Sequence, residues 1–212
     1  MGRVQVPSDQ SHRVPPGQFV TDKFPVLHAG SVPRYDPKTW DFQVYGDVEN
    51  PLKLNREQFL QLPTHKVTCD IHCVTTWSKL DTRWEGVQVR HLLDLVRPKK
   101  GAKYVIAECD EGFTANILLE DCLDPDVLCA YRYDDKDLTP EHGWPLRLMM
   151  PQRYFWKSAK WLRALRIESN DEPGFWEVRG YHNNADPWKE QRYGYQGSES
   201  LVEPTPPKYR AE

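Results

Sequence analysis

No run of apolar residues in this 212-residue chain extends beyond a few positions. A helix that crosses a bilayer needs about 20, and the mean hydropathy is -0.74, so the sequence offers no membrane-spanning helix. Neither sign of charge dominates: 28 Lys and Arg stand against 31 Asp and Glu, a formal net charge of -3. A nucleic-acid binder needs a basic excess that is absent. Cysteine is sparse and odd in number, at positions 69, 73, 109, 122 and 129. Such a set is expected as unbridged thiols in a reducing compartment. The first ten residues lack the apolar stretch of a secretory signal and a twin-arginine pair, which together with the thiols leads to an expected cytoplasmic location. Neither an internal repeat nor a low-complexity tract interrupts the chain.

What the sequence does hold is a 39% hydrophobic fraction, with eight Trp and 18 Pro, enough for one substantial core in one domain. Residues 1–24 are polar and proline-containing and are expected to form a flexible arm, followed by a domain over 25–196 and a tail over 197–212. Trp40, Phe42 and Val44 alternate with polar neighbours and predict a strand closed at Gly46-Asp47. Asn55 begins a short helix that ends before Pro63. The run Lys66-Val-Thr-Cys-Asp-Ile-His-Cys73 predicts a strand entering a loop at Cys73. A second helix is predicted over Val89–Val96 and a hairpin over 104–119, with a helical turn after Glu120. Further strands are predicted over 127–133, 146–150 and 160–167. The sum is an α+β domain with a mixed sheet, and that architecture by itself names no chemistry.

Cys73, in Asp70-Ile-His-Cys-Val-Thr-Thr-Trp-Ser78, is the candidate for chemistry. A nucleophilic thiol would require a base, and His72 is adjacent, but neighbours on an extended chain face opposite ways. Zinc could recruit Cys69, Cys73, His65 and His72, although no second matching pair of ligands follows. A buried, inert cysteine is a third reading. The fourth is a single thiolate on a soft redox metal whose other donors belong to an organic cofactor, held by distant cationic and aromatic side chains.

Three segments bear on the fourth reading: His72-Cys-Val-Thr-Thr-Trp-Ser78, His142-Gly-Trp-Pro-Leu-Arg-Leu-Met-Met-Pro151 and Tyr154-Phe-Trp-Lys-Ser-Ala-Lys-Trp-Leu162. In order and spacing they resemble the molybdopterin-binding domain of the sulfite oxidase family over about residues 24–195. Gly174-Phe-Trp-Glu-Val-Arg-Gly-Tyr-His-Asn-Asn-Ala-Asp-Pro-Trp188 is similar to the end of its small single-domain branch, which includes the catalytic subunit of the bacterial protein-methionine-sulfoxide reductase.

The resemblance implies a molybdenum-molybdopterin cofactor with Cys73 as the protein's metal ligand and catalytic residue. The metal would cycle between Mo(VI) and Mo(IV) as an oxygen atom moves to or from substrate. It implies that His142 and Arg147 hold the pterin and its phosphate, that Phe155, Trp156 and Lys157 wrap the cofactor, and that His28, Thr114 and Lys160 add contacts. Trp77, Trp84 and Trp188 are candidates for the mouth. True sulfite oxidases carry arginines soon after the metal cysteine, whereas here Arg83 is the first. An S-oxide or N-oxide is therefore expected in place of sulfite, with electrons exchanged through a separate partner. The alternative from another class is a binding module that keeps the fold without the metal.

Overall fold

The computed structural model describes residues 2–6 and 8–194. Two sheets share one core, with two short α-helices at its side, so the expected α+β mixed-sheet class is what the chain adopts. The predicted tail over 197–212, and Tyr195 before it, lie outside the described residues.

The first sheet contains β1 (Phe19–Val20), β4 (His65–His72), β5 (Trp77–Gln88), β8 (Leu128–Tyr133), β9 (Lys136–Asp137) and β10 (Arg147–Met149). Its centre is β5, which pairs antiparallel with β4 along one edge. Along its other edge, β5 pairs parallel with β1 at Trp77 and Ser78, then antiparallel with β8 from Trp84 onward. The second sheet runs β3 (Leu52–Asn55), β2 (Asp41–Gly46), β11 (Leu162–Glu168), β6 (Tyr104–Cys109) and β7 (Thr114–Leu118). There β2 and β11 are parallel and the remaining pairs antiparallel.

Period-two alternation divides the side chains between two apolar layers. Cys129 and Tyr131 of β8 join Phe42, Val44, Val105, Leu165 and Ile167 in the core between the sheets. Leu128 and Ala130 of the same strand point to the opposite layer, with Val67, Ile71, Cys73, Trp77, Trp84 and Met149. Helix α1 (Arg56–Leu60) starts at Asn55 with a reciprocal capping box to Gln58, as an Asn three residues before a Gln favours. Helix α2 (Val89–Val96) buries Val89, Leu92, Leu93 and Val96, one helical stripe, and ends at Arg97 in the left-handed region.

Three local readings change. The stretch read as an arm contains a 3-10 turn over Ser8–Arg13 and the strand β1, with Val20 and Thr21 buried. Arg13 there grips Asp70 and Asp81 at 2.6 Å each. Long-range pairing and this ion pair, not an apolar period, hold these residues to the sheet. The 12-residue β5 has no counterpart in the sequence prediction, because Trp77, Leu80, Trp84 and Val87 are spaced like a helix. Asp81 at φ 55° breaks the strand's phase, and the register shifts opposite Cys69/Ile71 and again at Glu85/Gly86. Gly86 is required at the second shift, since a Cβ there would lie 2.3 Å from the Cys129 carbonyl. Strand β3, four residues that end at the α1 cap Asn55, also went unpredicted.

Candidate active site

Strands β4 and β5 meet in a tight turn at Cys73. The Cys73 N-H donates to Trp77 O at 2.8 Å, and Thr76 N-H donates to Cys73 O at 3.0 Å. Thr75 and Thr76 at the tip are exposed, Thr76 at φ 74°, whereas Cys73 just beneath is 8% exposed. Val67, Cys69, Ile71 and Cys73 lie on one face, as their alternation predicts. The Cys73 Sγ is 3.2 Å from the Thr75 hydroxyl. Burial pushes the Cys73 thiol up, against smaller downward pulls from Thr75 and the Arg192 charge. A thiol so placed gives up its proton to an electropositive partner more readily than to water.

His72 turns away. Its Nδ1 is 2.8 Å from the Ser78 hydroxyl across the hairpin, and burial pulls it down to about 4. That orientation removes it as a base for Cys73. The zinc reading also loses its geometry: among the described residues, no group of three or more His, Cys, Asp or Glu is placed to hold a metal ion. Cys69 instead contacts the Thr82 hydroxyl at 3.8 Å.

Beside the cysteine lies an aromatic floor. Phe155 packs 6.1 Å from Trp77 and 6.3 Å from Trp84, and its N-H donates to His72 O at 2.8 Å. Trp77 and Trp84 are each 2% exposed and belong to this floor, while Trp188 is 49% exposed on the surface beside His72. On the far side of the rings is Arg147. Its position on β10 sends Leu148 into the core between the sheets and Arg147 the other way, with its guanidinium 4.4 Å from the Phe155 ring and 5.4 Å from Trp84. It donates to His142 O at 2.9 Å and Ser158 O at 2.7 Å.

Arg147 is 2% exposed, and among the described residues no carboxylate lies within ion-pair distance of it. Burial alone pulls it down to about 9. Gly143, at φ 106°, lets the His142 turn pass close, since a Cβ there would lie 3.1 Å from the Cβ atoms of Arg147 and Lys160. His142 stacks on Phe24 at 4.1 Å and is held by Thr139 and the Phe24 carbonyl. Lys160 Nζ lies 3.2 Å from His28 Nδ1 and donates to Glu141 O at 2.8 Å. Burial first, then the Arg147 charge, pulls Lys160 down to about 7, and burial also lowers His28 and His142. Four nitrogen groups thus crowd one corner, where the exposed Glu141 carboxylate acts on Lys160, His28 and His142, while the buried Arg147 has no carboxylate among the described residues within ion-pair distance.

The remaining predicted residues gather elsewhere. Lys157 Nζ donates to Asn116 O at 2.7 Å, to Asn116 Oδ1 at 2.9 Å and to Glu177 at 2.6 Å, which uses all three of its donors. Trp156 Nε1 donates to the same Glu177 carboxylate at 2.8 Å. Thr114, at the start of β7, accepts Phe175 N-H on its carbonyl in the same neighbourhood. A cavity of about 160 Å³ borders Asn116, Arg153, Lys157 and His182, but the Lys157 ammonium is already committed. Lys157, expected at a cofactor, therefore has no donor left for one.

Four residues escaped the sequence reading. Gln18 and Arg192 reach the Cys73 turn from the two ends of the described chain. Phe24 is the platform for His142. Cys109 lies near Arg147, whose charge pulls its thiol down against the larger upward push of burial. Gln18 and Arg192 have no local signal, because each is defined by a partner 55 or more positions away.

The Cys73 end also fits an outside group: the buried Trp77 Nε1 has no hydrogen-bond partner among the described residues, and such an atom favours a ligand. Residues 29–176 match the model of the oxidoreductase molybdopterin binding domain. The chain belongs to that family. This molybdopterin-binding oxidoreductase domain is 49% identical over 187 residues to the uncharacterized oxidoreductase YuiH of Bacillus subtilis, covering 88% of this chain and 94% of that protein. It is 24% identical to the protein-methionine-sulfoxide reductase catalytic subunit MsrP of Campylobacter jejuni, covering 80% of this chain but 64% of that one. Among solved structures, the sulfane dehydrogenase SoxCD of Paracoccus pantotrophus superposes with a TM-score of 0.62 at 23% identity, over 68% of this chain and 41% of that one. The last likeness shows the fold. Among the described residues mixed sheets dominate, helices are few, and no helix is long and apolar enough to cross a membrane.

Proposed function

We propose that this oxidoreductase depends on molybdenum, with Cys73 as the protein's ligand to a molybdopterin-bound metal, and that it moves an oxygen atom to or from an S-oxide or N-oxide. The observation that carries the reading is the buried Arg147, with no carboxylate among the described residues within ion-pair distance, packed on Phe155, a ring that lies against the same buried cluster as Cys73. A buried guanidinium without a counter-ion is costly in isolation and becomes favourable once an anion docks.

When bound, the cofactor supplies a soft redox metal that exchanges two electrons as the oxygen atom moves. The chain's own residues have simpler tasks. Cys73 presents one sulfur at the foot of an exposed turn, so that side of the site meets solvent. Arg147 and Lys160, with His142 and His28, would take the cofactor's phosphate and pterin edge. Phe155, Trp77 and Trp84 exclude water between the two ends.

The S-oxide assignment is supported by the name of the Campylobacter relative and by that of a 29% identical putative protein-methionine-sulfoxide reductase subunit, YedZ1, of Azospira oryzae. This chain spans 64% of either protein's length. Exchange of electrons with a separate redox partner is part of the proposal. The five free thiols support work in the cytoplasm.

The test is metal analysis of protein made in a host that synthesises molybdopterin. About one molybdenum per chain is expected in the wild type, with one more molybdenum–sulfur bond in its X-ray absorption spectrum than in Cys73→Ser. A Cys73→Ser protein whose molybdenum keeps the same sulfur coordination would remove the thiolate from its role, and wild type without molybdenum would favour a binding module on the same fold.

A further inference from the structure

The turn that carries Cys73 is tied down at three successive carbonyls, each by a donor from a different remote part of the chain. His72 O accepts the Phe155 N-H at 2.8 Å. Cys73 O accepts Gln18 Nε2 at 3.1 Å. Val74 O accepts Arg192 Nη1 at 2.6 Å. A hairpin tip with two exposed threonines is the sort of element that opens locally at little cost. A site placed on such a loop is imprecise unless its support is fixed from outside.

The two side-chain donors are themselves braced. Arg192 Cζ sits 5.0 Å above the Tyr154 ring, and its carbonyl accepts the His182 N-H at 3.2 Å. Gly17, next to Gln18, has φ 69°, and a Cβ there would lie 2.7 Å from Glu190 Oε1 and 3.3 Å from Arg192 Nη2. The segment before residue 20 and the segment after 180 therefore meet over the cysteine turn. Phe19 N-H donates to Thr76 O at 2.9 Å, which closes the fourth residue of the turn as well.

We propose that Gln18 and Arg192 are positioning residues that fix the Cys73 turn, so that the sulfur is held in one place before a metal arrives. This deepens the reading of Cys73 as a metal ligand and rests on it. Phe155 completes the set through its backbone and cannot be tested by a side-chain change, but the other two can. A charge-assisted bond to a carbonyl is the stronger of the pair, so Arg192 is expected to matter more than Gln18. Arg192 is not assigned to substrate, because its Nη1 is used by the turn.

The experiment compares hydrogen exchange of the full chain for wild type, Arg192→Ala, Arg192→Lys and Gln18→Ala, both cofactor-free and loaded, together with molybdenum retained after gel filtration. The amides of Cys73 and Thr76 are expected to exchange roughly tenfold faster in Arg192→Ala. A smaller rise is expected in Gln18→Ala, partial restoration in Arg192→Lys, and unchanged exchange in β6 and β11. Loaded Arg192→Ala should retain less molybdenum than wild type. Unchanged exchange at the turn would overturn the proposal, and so would an equal rise across β6 and β11, which marks general destabilisation. Should Gln18→Ala alone fold, its turn amides decide the matter in the same way. Faster exchange at the turn with no molybdenum in the wild type would leave the anchoring intact and remove the metal reading instead.

Discussion

Two buried cations from one loop and its neighbouring strand have opposite surroundings. Lys157 and Arg147 are each 2% exposed. Lys157 has the Glu177 carboxylate at 2.6 Å and the Asn116 side chain around it. Arg147 has three backbone carbonyls and two aromatic faces. A buried charge with a carboxylate is complete and belongs to the architecture, whereas one without is waiting for a charge from outside. The sequence makes the two look equivalent, since both lie in segments that resemble the family's cofactor loops.

The largest effect expected from this contrast is on stability. Lys157→Met leaves Glu177 buried with the Trp156 N-H as its remaining donor, and denaturant unfolding should show a loss of about 3–5 kcal/mol. Adding Glu177→Gln should recover part of it, because the stranded charge is then removed; no recovery would mean that the loss came from packing. Arg147→Met is expected to keep cofactor-free stability within about 2 kcal/mol of wild type, the three lost carbonyl bonds being offset by removal of an unmatched charge. Under the proposed function, the same variant should carry less molybdenum than the wild type. An Arg147 variant that unfolds as readily as the Lys157 variant would erase the distinction.

The smallest effect sharpens the corner around Arg147. Lys160 is pulled down to about 7 by burial and the Arg147 charge, whereas an unfolded lysine titrates near about 10.4. Below pH 7 both states carry the proton and the burial penalty is complete. Between about 7 and 10 the unfolded chain binds the extra proton, so stability of the cofactor-free protein rises with pH across that window. Unfolding titrations at pH 7 and pH 9 should show a gain in the wild type that Lys160→Met lacks. Equal pH slopes for the two proteins would show that Lys160 is not held in this way. Bound phosphate, by attracting the ammonium, should bind more weakly as pH rises through about 7.

Much of the fold was legible because its signals are local. The stripe Val89, Leu92, Leu93, Val96 reads as a helix wherever it is placed, and the alternation of Val67, Cys69 and Ile71 reads as a strand that brings Cys73 to its end. That alternation also disposed of His72 as a partner for Cys73. Strand β5 was hidden because a positive φ at Asp81 shifts the phase of its pattern, and β1 because two residues have no period. The candidate site divides in the same way. His28, His142, Arg147, Phe155 and Lys160 converge as the motifs imply, while Thr114, Trp156 and Lys157 gather around Glu177, whose ion pair no motif announces.

By itself the sequence determined which residues have the right chemistry: one thiol at a strand end, a run of cations and rings in fixed order, and apolar periods sufficient for an α+β core. Tertiary structure alone decided which cation is neutralised by a carboxylate, Lys157, and which, Arg147, has none within ion-pair distance among the described residues. It alone brought Gln18 and Arg192 to the same turn. The reason is physical: residue type and short-range period are properties of neighbours in the chain, but the energy of a buried charge or carbonyl depends on what lies within a few ångströms, and the fold draws those partners from anywhere along the chain.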